Sequence, residues 1–129
     1  MDSEQPKAKA SSSCIDEEVI NSLKELETPG DEVPFLDELI HIFLIDAAVS
    51  VKNLVTAYQQ KDNRGIERWA HKLKGQSRNL GARRLSEVCA VIESTAVKSP
   101  QDVSELLVQS ASIEFEGAMQ ELRVYLRSA

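Results

Sequence analysis

Cysteine and histidine are scarce in this chain, with two of each in 129 residues. Cys14 and Cys89 lie far apart, which argues against a disulfide framework, and they supply too few ligands for a metal centre. Aromatic residues are few. No apolar run reaches about 18 residues, so no membrane-spanning helix is expected. The N-terminus is polar and has no apolar core of the secretory-signal kind. A reducing cytoplasm is therefore the expected compartment. No glycine-rich loop is present to cradle phosphates, so the chain should not bind ATP itself. A nucleophile elbow and an oxyanion loop are also missing, which removes a hydrolase triad. No segment alternates apolar and polar residues over a strand's length, so no sheet is expected.

Charge is present but unevenly spread. The formal net charge is −6, which argues against broad nucleic-acid binding. From Arg64 to Arg84, however, seven Lys or Arg residues face one acid, Glu67. The remainder carries eight bases and twenty acids. A local positive field on an acidic protein favours an anion or an acidic partner surface.

Helical periodicity accounts for most of the chain. Residues 1–12 are polar and of low complexity, and a flexible tail is expected there. The folded domain should span 13–129. A short helix should begin near Ser13 as cap, with Asp16 in its first turn and Ile15, Val19, Leu23 and Leu26 inward. Thr28-Pro29-Gly30 should stop it. A long second helix should start around 31–34 and run to about Gln60 on the seam Leu36, Ile40, Phe43, Ala47, Val51, Leu54 and Tyr58. Phe35, Ile42, Ile45 and Val49 form a second stripe roughly opposite. It is either covered by the first helix or by a like chain, or open for docking another protein.

Asp62 can cap a third helix whose inward seam is Ile66, Ala70, Leu73, Ser77 and Leu80, with Trp69 beside it. Arg64, Glu67, Arg68, His71, Lys74, Gly75 and Arg78 fall on the opposite side. Gly81 should end it. A fourth helix buries Ala82, Leu85, Val88 or Cys89, Ile92 and Ala96. Ser99-Pro100 reads as the start of a fifth, carrying Val103, Leu107, Ala111, Phe115, Ala118, Leu122 and Tyr125 or Leu126, and weakened locally at Gly117. The expected fold is all-α: an antiparallel up-down four-helix bundle with a short additional N-terminal helix.

The residues that carry chemistry lie on the third helix. Lys74 follows His71 by three residues and Gly75 follows it by four, which puts all three on one face. Metal binding is poorly supported, because Glu67 is the one added ligand at helical spacing and Lys74 would repel a cation. Nucleophilic phosphoryl capture fits better. An imidazole can attack phosphorus, a lysine one turn along can balance the phosphoryl charge, and a glycine leaves room for a partner's loop. An idle surface histidine remains the alternative on these grounds.

The stretch His71-Lys72-Leu73-Lys74-Gly75-Gln76-Ser77-Arg78-Asn79-Leu80-Gly81 resembles the signature of histidine-containing phosphotransfer domains, His-x-Leu-Lys-Gly-x-Ser-x-x-Leu-Gly, at every fixed position. Gln76 is bulkier than the small residue often found there. The helical layout from about Ile15 to Leu126 is similar to the family as well. The resemblance implies a four-helix bundle that accepts a phosphoryl group from one receiver-domain aspartate and passes it to another. It implies His71 as phosphoacceptor through its outward nitrogen, Lys74 as charge stabiliser and Gly75 as the point of receiver access, with Ser77, Leu80 and Gly81 mainly structural. Phe35, Ile42, Ile45, Val49, Arg68, Lys72, Gln76 and Arg78 are the expected partner-binding residues. No cofactor of its own is expected, since Mg2+ would sit on the receiver. The expected partners are response-regulator receivers, from a hybrid sensor kinase and a downstream regulator, meeting a monomer. A helical module that binds or inhibits a kinase or receiver without carrying phosphate is the competing reading. His41 matches nothing in the signature.

Overall fold

The structure, a computed structural model, describes residues 13–30 and 33–126. The expected tail and the first two residues of the expected start of the second helix, Asp31 and Glu32, lie outside them. Among the described residues the chain is helical throughout, without a strand: α1 Glu17–Lys24, α2 Phe35–Gln59, α3 Asn63–Asn79, α4 Arg83–Lys98, a 3₁₀ turn Pro100–Asp102 and α5 Glu105–Arg123. α3 packs on both α2 and α4, and α5 closes the ring by packing on both α2 and α4. This is a four-helix bundle, with the short α1 against α2.

The tight connections follow from the way the helices end. At the end of α3 the Gly81 amide donates to the Arg78 carbonyl and the Ala82 amide to the Ser77 carbonyl. These paired bonds satisfy carbonyls that the helix would otherwise leave open, and they need a left-handed residue at the turn. Gly81 supplies it, with φ of +72°. The end of α2 repeats the pattern, with Lys61 donating to Tyr58 and Asp62 to Ala57. There the left-handed residue is Lys61, with φ of +56°. Asp62 then caps α3, its side chain accepting from the Gly65 amide at 3.0 Å. Each connection thus reverses the chain in about three residues, which makes α2, α3 and α4 antiparallel neighbours.

The core is aliphatic. Leu36, Ile40, Ala47, Leu54, Leu73, Leu85, Ile92 and Leu122 are buried, and Phe43 meets Phe115 across α2 and α5 at 5.8 Å between ring centroids. Cys89 joins this core, and burial pushes its thiol up to about 12. It is a packing residue, as expected from its seam.

Three expectations need correction. Asp16, not Ser13, caps the first helix, accepting from the Glu18 amide. Its inward residue is Ile20, fully buried, while Leu26 lies beyond the helix and is 65% exposed. Ser13 is used elsewhere. Its hydroxyl donates to Glu121 Oε1, the Cys14 amide donates to Oε2, and Arg83 donates to the Ser13 carbonyl. This straps the N-terminal segment across α4 and α5. The strap crosses α5 at Gly117, where the Cys14 sulfur occupies the space a side chain would fill. Second, Ser99-Pro100 opens the 3₁₀ turn and not the last helix. Ser104 is the cap of α5, accepting from Leu107, and Val108 replaces Leu107 as the buried position. Third, α2 is by length and composition apolar enough to cross a membrane. In the bundle its seam is core, and it keeps Asp37, Glu38, Asp46 and Lys52 along its length.

The two helix ends make opposite predictions. A Cβ at Gly81 would lie 2.9 Å from the Asp16 carbonyl and from Val19, in addition to the left-handed penalty. Gly81→Ala should cost about 1–3 kcal/mol, whereas Lys61→Gly should be neutral or stabilise by up to about 1 kcal/mol. Urea denaturation of both variants checks this, and a Gly81→Ala cost no larger than the left-handed penalty alone, about 1 kcal/mol, would show that the contact with Asp16 and Val19 is immaterial.

Candidate functional site

The rotation of α3 is set by what it buries. Ile66, Ala70, Leu73, Ser77 and Leu80 face the core, and each large aliphatic among them contributes about 1.5–3 kcal/mol through burial. The Ser77 hydroxyl is satisfied within the helix, donating to the Leu73 carbonyl. With that face fixed inward, Arg64, Glu67, Arg68, His71, Lys72, Gly75 and Arg78 are exposed. The His71 side chain is 69% exposed.

The structure adds a residue that sequence reasoning missed. Glu93, on α4, places Oε2 at 2.7 Å from His71 Nδ1 and Oε1 at 2.6 Å from Lys74 Nζ. One carboxylate therefore bridges the histidine and the lysine. Lys74 is consequently not a free surface cation, and its side chain is 19% exposed. Desolvation pushes the Glu93 carboxyl up, but hydrogen bonds and charge from Lys74 and His71 outweigh it and hold the group below its ordinary range. Among the described residues no hydrogen bond is made to the other ring nitrogen, Nε2, of this largely exposed side chain. A signal for Glu93 did exist in the numbering. His71 and Glu93 each stand eleven residues from Ala82, at the turn between two antiparallel helices, so they come side by side.

Gly75 sits one turn beyond His71 in open space, since a Cβ there would meet nothing within 4 Å. Packing inside the chain therefore does not demand a glycine that costs the helix about 1 kcal/mol relative to alanine. Arg68 and Lys72 both lie over the Trp69 ring, at 5.9 and 5.4 Å from its centroid. Gln76 is half-buried, with its carbonyl oxygen buried and unpartnered. On the neighbouring α2, Ile42, Ile45 and Val49 are exposed and Phe35 is half-buried. α1 does not cover the first three. His41 is exposed on the same helix, apart from these contacts. Among the described residues no group of three His, Cys, Asp or Glu side chains could hold a metal ion.

An exposed histidine with one nitrogen engaged and one free, on a helix whose far side is core, is built for reaction at a single atom. The model of the Hpt domain family matches residues 38–125. The chain belongs to the Hpt family. Its function is histidine phosphotransfer in a phosphorelay, with receiver domains of response regulators as partners. Among solved structures, the chain is similar to histidine-containing phosphotransfer protein B (HptB) from Pseudomonas aeruginosa PAO1. The identity is 25% and the TM-score 0.78, over 88% of this chain and 95% of that one. It shares the fold of the histidine-containing phosphotransfer protein ZmHP2 from maize, at 24% identity and a TM-score of 0.74, over 94% and 91% of the two chains. No curated protein matches the chain in sequence.

The lowered Glu93 carboxyl has a consequence for stability in this Hpt chain. Its contribution is complete above the ordinary glutamate value, about 4.3, and is lost as pH falls through the lower folded value. Urea melts from neutral to acid pH should therefore show wild type losing more stability than Glu93→Gln. Parallel losses would mean that the bridge contributes nothing in solution.

Proposed function

We propose that His71 is the phosphoacceptor and that it reacts through Nε2. The Nε2 lone pair attacks the phosphorus of a receiver's aspartyl phosphate. An N–P bond forms, the bond from phosphorus to the carboxylate oxygen breaks, and the electron pair leaves with the carboxylate. The reverse step on a second receiver hands the group on. The observation that supports this reading is a histidine side chain 69% exposed whose Nδ1 is already engaged by Glu93.

Lys74 balances the arriving charge. It is bound to Glu93 in the free chain, so it shares its charge between the carboxylate and the phosphoryl oxygens once these are present. Gly75 leaves the approach open to the receiver's active-site loops. The Mg2+ that supports transfer belongs on the receiver. Around His71 the adjacent carboxylate is already taken up by Lys74, which leaves no set of oxygen ligands for a hard cation.

Docking follows from the surfaces either side of the site. Arg68, Lys72 and Arg78 meet the acidic pocket around the receiver's aspartate and speed encounter. Gln76, half-buried beside Gly75, contributes at the edge of this contact. The stripe Phe35, Ile42, Ile45 and Val49 offers an apolar surface on the helix next to α3. The partners are receivers of a hybrid sensor kinase and of a downstream regulator, and the chain works in the cytoplasm as a monomer.

Incubation with a labelled, phosphorylated receiver tests this reading. Label should pass to the chain in a form labile to acid and stable to base, and His71→Gln should abolish it with helix content intact. Gly75→Gln should fold normally, because the site has room, yet slow transfer at least tenfold. Binding of the receiver without any transfer would favour the non-phosphorylated module instead, and an unimpaired Gly75→Gln would remove the role given to the glycine.

A further inference from the structure

The up-down order of the bundle brings two connections to the same end. One is the three-residue turn 60–62 from α2 to α3. The other is the six-residue stretch 99–104 from α4 to α5, which includes the 3₁₀ turn. Residues of both line a cavity of about 650 Å³. Small-molecule sites have volumes of roughly 300–1,000 Å³, so the space is large enough for an organic ligand. The phosphoryl site makes no use of it. Ile66 reaches the cavity from the inner side of α3, whereas His71, five residues on, stands about 140° further round the helix.

The lining residues define what the cavity would take. Ile66 and Val103 are themselves buried and make an apolar floor. Tyr58 and Pro100, both half-buried, add ring surfaces at its sides. Surfaces of this kind gain from covering a flat apolar body and offer little to a hydrated inorganic ion. The exposed rim carries Gln59, Asn63 and Gln101, which can hydrogen-bond, and Lys61, the one charged residue of the lining. Asp62, next to Lys61 in sequence, lies outside the lining and spends one carboxylate oxygen on the Gly65 amide at 3.0 Å. Lys61 enters no ion pair among the described residues. The turn does not call for a lysine either, since its φ of +56° is one that glycine adopts more readily. An apolar floor with a single cation at the mouth, and no carboxylate in the lining, is complementary to an organic anion.

We propose that this cavity is a second binding site of the chain, and that it takes a small organic anion of the aryl carboxylate class. The ring system lies on Ile66 and Val103 between Tyr58 and Pro100. The carboxylate meets the Lys61 ammonium, and the Asn63 and Gln101 amides are within the same rim to donate to it. The site is separate from His71, so the outcome of phosphotransfer assays has no bearing on it.

Titration of the full chain, labelled with nitrogen-15, with 1-naphthoate tests this. The comparison compound is 1-naphthamide, which has the same shape without the charge. Naphthoate should give saturable amide shifts centred on Lys61, Asn63, Ile66 and Gln101, with a Kd of about 1 mM, the affinity that a ligand of this size reaches at ordinary efficiency. Naphthamide should bind about threefold more weakly, as befits the loss of one exposed charge pair. Lys61→Gly suits the left-handed turn and should keep the helix content of wild type, while bringing the two compounds to the same affinity. If no saturable shifts appear at these residues by about 10 mM, tenfold above that Kd, the proposal is overturned. Saturation centred on Ile42, Ile45 and Val49 instead overturns it as well. Equal affinity of wild type for both compounds, or a Lys61→Gly variant that still prefers naphthoate, overturns the assignment of an anion.

Discussion

The carboxylate of Glu93 reaches from α4 to two side chains of α3, and the chemistry of the site is arranged around that reach. It consumes one nitrogen of His71 and leaves the other, and it binds a lysine that would otherwise sweep through solvent. Such a bridge is a weak structural force. A solvent-accessible ion pair contributes about 0–1 kcal/mol, while each large aliphatic on the inner side of α3 contributes about 1.5–3 kcal/mol. The core therefore sets the rotation of α3, and the turn at Leu80–Ala82 sets its register against α4. The bridge forms because both are already in place. This order of causes explains why a reactive side chain can stand in the open and still be held in one orientation.

Much of this was legible in the chain itself. The period of the apolar residues placed Leu73 inside and His71 outside, Asp62 announced the start of α3, and Gly81 its end. Elements failed where two signals competed. Ser13 and Asp16 are both good caps, and the choice between them was made by Glu121, more than a hundred residues away, which takes the serine. Ser99-Pro100 is a sound helix start, but only a single 3₁₀ turn follows before Ser104 begins again. At the site, the three residues on one helix were readable from spacing alone. Glu93 could be found only through the register between two helices, which its equal distance from Ala82 encodes once the turn is placed and which local periodicity does not show.

The surfaces beside the site suit a partner that must leave again. The basic face is carried by long side chains, and two of them rest on the Trp69 ring, which keeps them extended along the surface at little cost. The apolar stripe on α2 is interrupted by the exposed Asp46. Charge brings partners together quickly, and a modest apolar contact lets them separate.

The claim that everything else depends on is that the phosphoryl group resides on Nε2 of His71. Phosphorylated protein with nitrogen-15 in its histidine rings decides this through the one-bond coupling between nitrogen and phosphorus. The coupling should appear at Nε2 of His71, with Nδ1 of the same ring still protonated at neutral pH. Phosphorus coupled to Nδ1, or to any nitrogen of His41, would contradict the account.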